Sequence, residues 1–158
     1  MAFKTKAFKK WLDHIAGVAV KTRDNFTCQL RMSPDCLGSM QPGDLRCQAC
    51  HIESRKNNIT RWDPLNIITG CANCHGASHS TPLLFALWFA KKYPNRVGHL
   101  EQSAKEPLRT WHQSDFEQEE KDLFEYCIDM NVDYLSVNTK HRARYKRRIE
   151  QILFERKE

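Results

Sequence analysis

The chain has 158 residues, a length that fits one domain whose modest core would gain from a structural metal. Lys and Arg number 25 against 19 Asp and Glu, and the resulting charge of +6 with an isoelectric point near 9.0 points to a polyanionic partner. No apolar run approaches the roughly 20 residues that span a bilayer, and no nucleotide-binding glycine loop or internal repeat is present, which argues against a membrane protein and against an ATP-driven motor.

The basic start MAFKTKAFKKW lacks the apolar centre of a signal peptide, so a cytosolic setting is expected. In that reducing compartment the seven cysteines, an odd number, read as metal ligands rather than disulfides.

Residues 5–22 place Phe8, Trp11, Leu12, Ile15, Val18 and Ala19 at helical intervals, with Lys6, Lys9, Lys10 and Lys21 outside that stripe. The pattern predicts an amphipathic helix docked on the body of the domain, its lysines a secondary contact for nucleic acid, with His14 at the surface. Cys28 and Cys36 flank a Ser-Pro-Asp turn that forbids a continued helix, an arrangement typical of a metal knuckle. Joined to the pair Cys71 and Cys74 they would make a tetrahedral thiolate site; the competing set joins Cys47 and Cys50 to the same pair, at zinc-ribbon spacing. Beyond the Pro42-Gly43-Asp44 turn, LRCQACHI and LNIITGC read as short strands. The polar ESRKNNITRWDP between them reads as a surface loop. A helix from about Cys71 then carries His75 and His79 on one face, since residues four apart stack one turn above the other.

Residues 82–93 predict a second helix, opened by Pro82 and stopped by Pro94, with almost no polar face; it is expected to be packed on both sides, against the first helix or a second copy of the chain. A short helix follows in VGHLEQSAK, then a connection around Pro107, and His99 and His112 read as structural. Residues 114–130 predict an acidic helix capped by Ser114, with Cys127 a packed thiol on its buried stripe. The last helix, capped by Asn138, concentrates basic residues including Lys140, Arg144, Arg147 and Arg148. Two readings stand for that run: it pairs with the acidic helix in an antiparallel hairpin, or it contacts nucleic-acid phosphates.

The segment from Cys47 to His79 is too short and polar to form its own core, and it holds the pattern His51-x14-Asn66-x8-His75-x3-His79 with a C-x2-C pair directly before His75. On these residues the chain resembles the HNH, or ββα-metal, endonucleases, with the spacing of the colicin-type members and surroundings nearer to phage and prophage proteins. The resemblance implies an α+β fold, a small ββα-metal motif with a structural zinc knuckle embedded in α-helices. It divides the chain into a nuclease domain at 1–104 and a helical hairpin at 105–158. It implies hydrolysis of DNA phosphodiester bonds in a bacterial host cell, with His51 as general base and Asn66 holding the imidazole or the loop. His75 and His79 become ligands of a catalytic Zn²⁺, Mn²⁺, Ni²⁺ or Mg²⁺, and Arg55 and Arg61 phosphate contacts. It also favours Cys28, Cys36, Cys71 and Cys74 as the zinc set. Many members have Asp or His before the base where this chain has Cys50; that thiol is expected on the catalytic metal, with water in that corner or a merely buried Cys50 as the alternatives.

A looser likeness, from about Lys6 to Gln102, is to phage recombination nucleases of the NinG/Rap type. It rests on Lys21-x-Arg23-Asp24, the knuckle, His51-Ile52-x-Ser54-Arg55 and Thr60-Arg61-Trp62-Asp63-x2-Asn66. It implies recombination or replication intermediates, branched junctions included, as substrates. Members of that group carry Asn after the second C-x2-C, where this chain has His75. The reading from a different class is a non-catalytic zinc-stabilised DNA-binding module.

Overall fold

A computed structural model describes residues 5–108 and 110–157. Among them are six α-helices and one two-stranded antiparallel sheet, so the fold is α+β. Helix α1, Thr5–Arg23, buries Trp11, Leu12, Ile15, Val18 and Ala19 as their spacing predicts. The small residues Ala16 and Gly17 on the same side let a strand approach closely: a Cβ on Gly17 would stand 3.5 Å from that of Ala49.

That strand is β1, Cys47–His51, paired with β2, Ile67–Cys71, in a register that sets Cys47 opposite Cys71 and His51 opposite Ile67. All of β2 is buried. Its start is pinned by arginines from two elements: Arg23 donates to the carbonyls of Pro64 and Ile67, and Arg96 to those of Leu65 and Ile67. Asp24 accepts the Thr69 amide, so the outer edge of β2 is covered rather than left open to another strand. Helix α2, Ala72–Ser80, begins directly after β2, and its cap is Cys71, whose sulfur accepts from the Cys74 amide.

Two cores result. The larger joins α1, Trp62 and Ile67 to helix α5, Gln113–Asp129, and helix α6, Arg142–Glu155. The boundary expected at residue 104 therefore divides the chain but not the packing. The smaller core gathers Leu30, Met40 and Ile68 with six of the cysteines.

Several expectations change here. Helix α3, Pro82–Lys92, turns Phe85, Trp88 and Phe89 inward and leaves Leu83, Leu84 and Leu87 exposed, so it is packed on one side only. Helix α4, Pro94–Ala104, follows it at once. Helix α5 is capped at His112, whose amide donates to Asp115, rather than at Ser114. The ion pairs between α5 and α6 do not form an antiparallel ladder: Lys121 and Asp129, two turns apart, reach the neighbouring residues Glu155 and Arg156. His14 is half-buried, its ring centred 5.2 Å from the tilted His141 ring and accepting the Asn138 amide, because the chain before α6 folds back over α1. Among the described residues no helix is long and apolar enough to cross a membrane.

Candidate functional site

The Ser-Pro-Asp turn brings Cys28 and Cys36 against the β2–α2 junction, where the sulfurs of Cys28, Cys36, Cys71 and Cys74 lie within 4.8 Å of one another. A tetrahedron of ~2.3 Å Zn–S bonds has edges of about 3.8 Å, so the donor set fits such an ion. Gly38, at φ +68°, turns the knuckle back and accepts the Cys28 amide, a conformation side chains rarely adopt. Amides point at the sulfurs, Ser33 N–H to Cys74 at 3.4 Å among them. Burial pushes the Cys71 thiol up, but the amides of Leu37 and Cys74 and the neighbouring thiols more than reverse this, to about 7. These four cysteines could hold a metal ion. Cys47 and Cys50 lie outside the set, which removes the ribbon alternative among the described residues.

Cys50 also departs from the role expected by resemblance. Strand alternation puts it on the α2 side of the sheet, yet its thiol folds back over Gly70, where a Cβ would meet Cys50 Sγ at 2.7 Å and Leu30 at 2.6 Å. It is 1% exposed and lines no part of the histidine cleft; the missing side chain at Gly70 makes the room that holds it in the cysteine core.

His51 ends β1. Its Nε2 lies 2.9 Å from the Arg61 carbonyl, and since a carbonyl only accepts, Nε2 carries the proton and Nδ1 keeps its lone pair. Burial holds this imidazole below the usual histidine range; the Arg61 carbonyl opposes that, and the Arg55 charge adds to it.

Across the cleft, one turn of α2 brings His75 Nε2 and His79 Nε2 to 3.0 Å. Two ligands on one ion at ~2.0–2.1 Å stand about 2.9–3.4 Å apart, so the pair has the separation of a chelate. His75 Nδ1 donates to Gln48 Oε1 at 2.7 Å, which fixes the ring and aims its Nε2 lone pair at the shared point. Gln48 is two residues before Cys50 on the same strand face, a placement contained in period-two alternation but unmarked by residue type, since glutamine is not a usual metal ligand.

The loop from Ile52 to Leu65 is held by Asn66, which is fully buried. Its Oδ1 accepts the Glu53 amide at 2.7 Å, and its Nδ2 donates to the carbonyls of Thr60 at 2.8 Å and Glu53 at 3.2 Å. Asn66 thus closes the loop on itself and acts on His51 through Arg61. Arg61 is not free for phosphate: it makes a two-point pair with Asp13, which also accepts the Trp62 indole N–H at 2.8 Å. Arg55 is exposed and, among the described residues, has no side-chain partner.

His51, His75 and His79 open on one cleft of about 1160 Å³. Lys9, Lys21, Arg55, Lys56 and Arg61 also line it, and no Asp or Glu does among the described residues. The C-terminal cations are spent differently. Arg144 donates to Glu120 at 2.7 Å and lies 4.4 Å over Trp11, and Arg148 stands 3.3 Å from the other Glu120 oxygen as an ion pair without hydrogen-bond alignment. Glu120 is 8% exposed and needs those charges, so the acidic helix, not a phosphate, takes Arg144 and Arg148. Lys140 and Arg147 stay exposed. No family model matches the chain, and no curated protein or solved structure matches it.

Proposed function

We propose that the chain is a metal-dependent DNA endonuclease of the HNH kind. The observation that carries this reading is the joint placement of His51 Nδ1, left basic by the Arg61 carbonyl, and the 3.0 Å His75–His79 pair in one cation-lined cleft. His51 takes the proton of the attacking water at Nδ1, and its lowered affinity for a proton keeps it ready at neutral pH. Asn66 and Asp13 are positioning residues, since they fix the loop whose carbonyl orients His51. His75 and His79 would hold a divalent ion, which when bound supplies charge for the scissile phosphate and the leaving oxygen. Arg55, unpaired at the cleft, contacts phosphate. Zinc on Cys28, Cys36, Cys71 and Cys74 ties the knuckle to the start of α2, so the structural ion sets the helix that carries both histidines.

One observation favours a non-catalytic DNA-binding module instead: among the described residues, no third His, Cys, Asp or Glu ligand atom joins His75 and His79. The two readings separate in one experiment. Metal-stripped protein refilled with Mg²⁺, Mn²⁺, Ni²⁺ or Zn²⁺ is assayed on supercoiled plasmid beside His51→Ala. Cutting that metal restores and His51→Ala loses supports the nuclease; DNA binding without cutting under every metal leaves the module.

A further inference from the structure

Five cations without a partner gather at two neighbouring clefts, whereas the others among the described residues, Lys91, Lys105, Lys140 and Lys157, line neither. Among the described residues, the side chains of Lys6, Lys10, Lys21, Arg55 and Lys56 have no ion-pair or hydrogen-bond partner, and every one of them lines the histidine cleft or the cleft beside it. That neighbouring cleft, of about 620 Å³, lies along the first half of α1 and shares Lys9, Arg55 and Arg61 with the first. Its one carboxylate, Asp13, is already neutralised by Arg61. On the C-terminal helix the pattern is reversed, with Arg144, Arg148 and Arg156 paired to α5 and Lys146 to Glu150. An unpaired cation costs no partner when it meets a phosphate, whereas Arg144 and Arg148 would first have to leave a buried carboxylate.

We infer that the two clefts form one continuous track for the backbone of duplex DNA, running along α1 from Lys21 to Lys6 with Arg55 at the junction. The inference deepens the reading of the histidine cleft as a DNA site but does not need that site to cut. Fifteen residues of helix cover about 22 Å, the axial length of roughly six base-pair steps. Lys6 and Lys10 stand one turn apart on a single face of α1. The track suits a duplex rather than a single strand because it offers no run of stacking platforms: besides the three histidines, Phe85 is the only aromatic residue among the described residues lining the first cleft, and the second has none.

The test is binding of a fluorescent unbranched duplex and of its single strand by full-length His51→Ala protein across a salt series. The expected result is that Lys6→Gln with Lys10→Gln lowers the slope of log affinity on log salt by about 2 and weakens duplex binding about tenfold at low salt. Lys140→Gln with Arg147→Gln is expected to move the slope by much less. Circular dichroism confirms that both double variants fold; they change exposed residues only. An unchanged slope in the α1 variant, a larger loss in the C-terminal variant, or tighter binding of the single strand would each overturn the track. Wild-type protein that never cuts, with the slopes as expected, would remove the nuclease reading alone; cutting with unmoved slopes would remove the track alone.

Discussion

Asp13 on α1 grips Arg61 in the loop before β2 at both carboxylate oxygens, Nε to Oδ1 at 2.8 Å and Nη2 to Oδ2 at 2.7 Å. Burial pushes the Asp13 carboxyl up, and Arg61 with the Trp62 indole more than reverses that, leaving it below its usual range and charged at neutral pH. Arg61 presents its carbonyl to His51 and also donates to the Arg55 carbonyl. Asp13, forty-eight positions before Arg61 in sequence, thereby anchors the carbonyl on which His51 rests.

Asp13→Asn removes one charge and one of the two acceptors, freeing the loop to drift. The expected outcome is a turnover number lower by about ten- to a hundredfold, since misplacement on the order of 1 Å costs that much. DNA affinity should hold or rise, because a carboxylate has left the cation-lined clefts. Single-turnover cleavage beside anisotropy checks both; loss of affinity with unchanged turnover would show that His51 is held without Asp13.

The cysteine assignment yields a stoichiometry. Cys36→Ser and Cys74→Ser should each abolish retention of zinc and lower the melting temperature sharply, since a structural site contributes folding energy directly. Cys47→Ala, Cys50→Ala and Cys127→Ala should keep one tightly held zinc per chain, because these thiols lie outside the four-sulfur group. Colorimetric zinc release after denaturation counts the ion, and a zinc lost with Cys50→Ala but retained with Cys36→Ser would reverse the ligand set.

What the sequence disclosed was the part fixed by residue type and local period. Cysteine pairs, histidines one turn apart, and the change from strand to helix period at Cys71 are local signals, and each element built on them stands within a residue or two of where it was expected. What stayed hidden was the choice of partners across the chain. Nothing near Arg61 marks Asp13, and nothing near Arg144 says that Glu120 on another helix will be buried between it and Trp11. The turn of Cys50 away from the cleft depends on Gly70, whose missing side chain is uninformative until the strands are in register.

His14 makes stability depend on pH. Burial, then the neighbouring His141, Lys21 and Lys140, lowers its pKa from the ordinary 6.5 to about 4, and its Nε2 must be unprotonated to accept the Asn138 amide. The unfolded chain therefore binds a proton at a pH where the fold resists it. The contribution is complete above about 6.5 and is lost as pH falls toward 4. With a discount for partial solvent exposure, the loss between pH 7 and pH 5 is on the order of 1 kcal/mol. Urea unfolding of wild type and His14→Gln at both pH values isolates it, since carboxylates and zinc ligands cancel in the difference. The gap between the two proteins should narrow at pH 5, and a constant gap would mean that His14 protonates in place.

Gln48 gives the sharpest test of the histidine pair, because it touches one ring and no phosphate need reach it. Its Oε1 accepts from His75 Nδ1, which fixes the tautomer in which Nε2 faces His79. Gln48→Leu leaves that ring free to turn and its proton free to move to Nε2, where it would block the shared point. The expected effect is a ten- to hundredfold weaker affinity for a divalent ion, as other supporting residues of metal ligands show. Gln48→Glu keeps an acceptor and adds charge, so affinity should equal or exceed wild type. Calorimetric titration with Zn²⁺ or Ni²⁺, on protein whose cysteine site is already filled, reads the second ion without any cleavage assay. Equal affinity in all three proteins would mean that His75 and His79 do not act together on one ion.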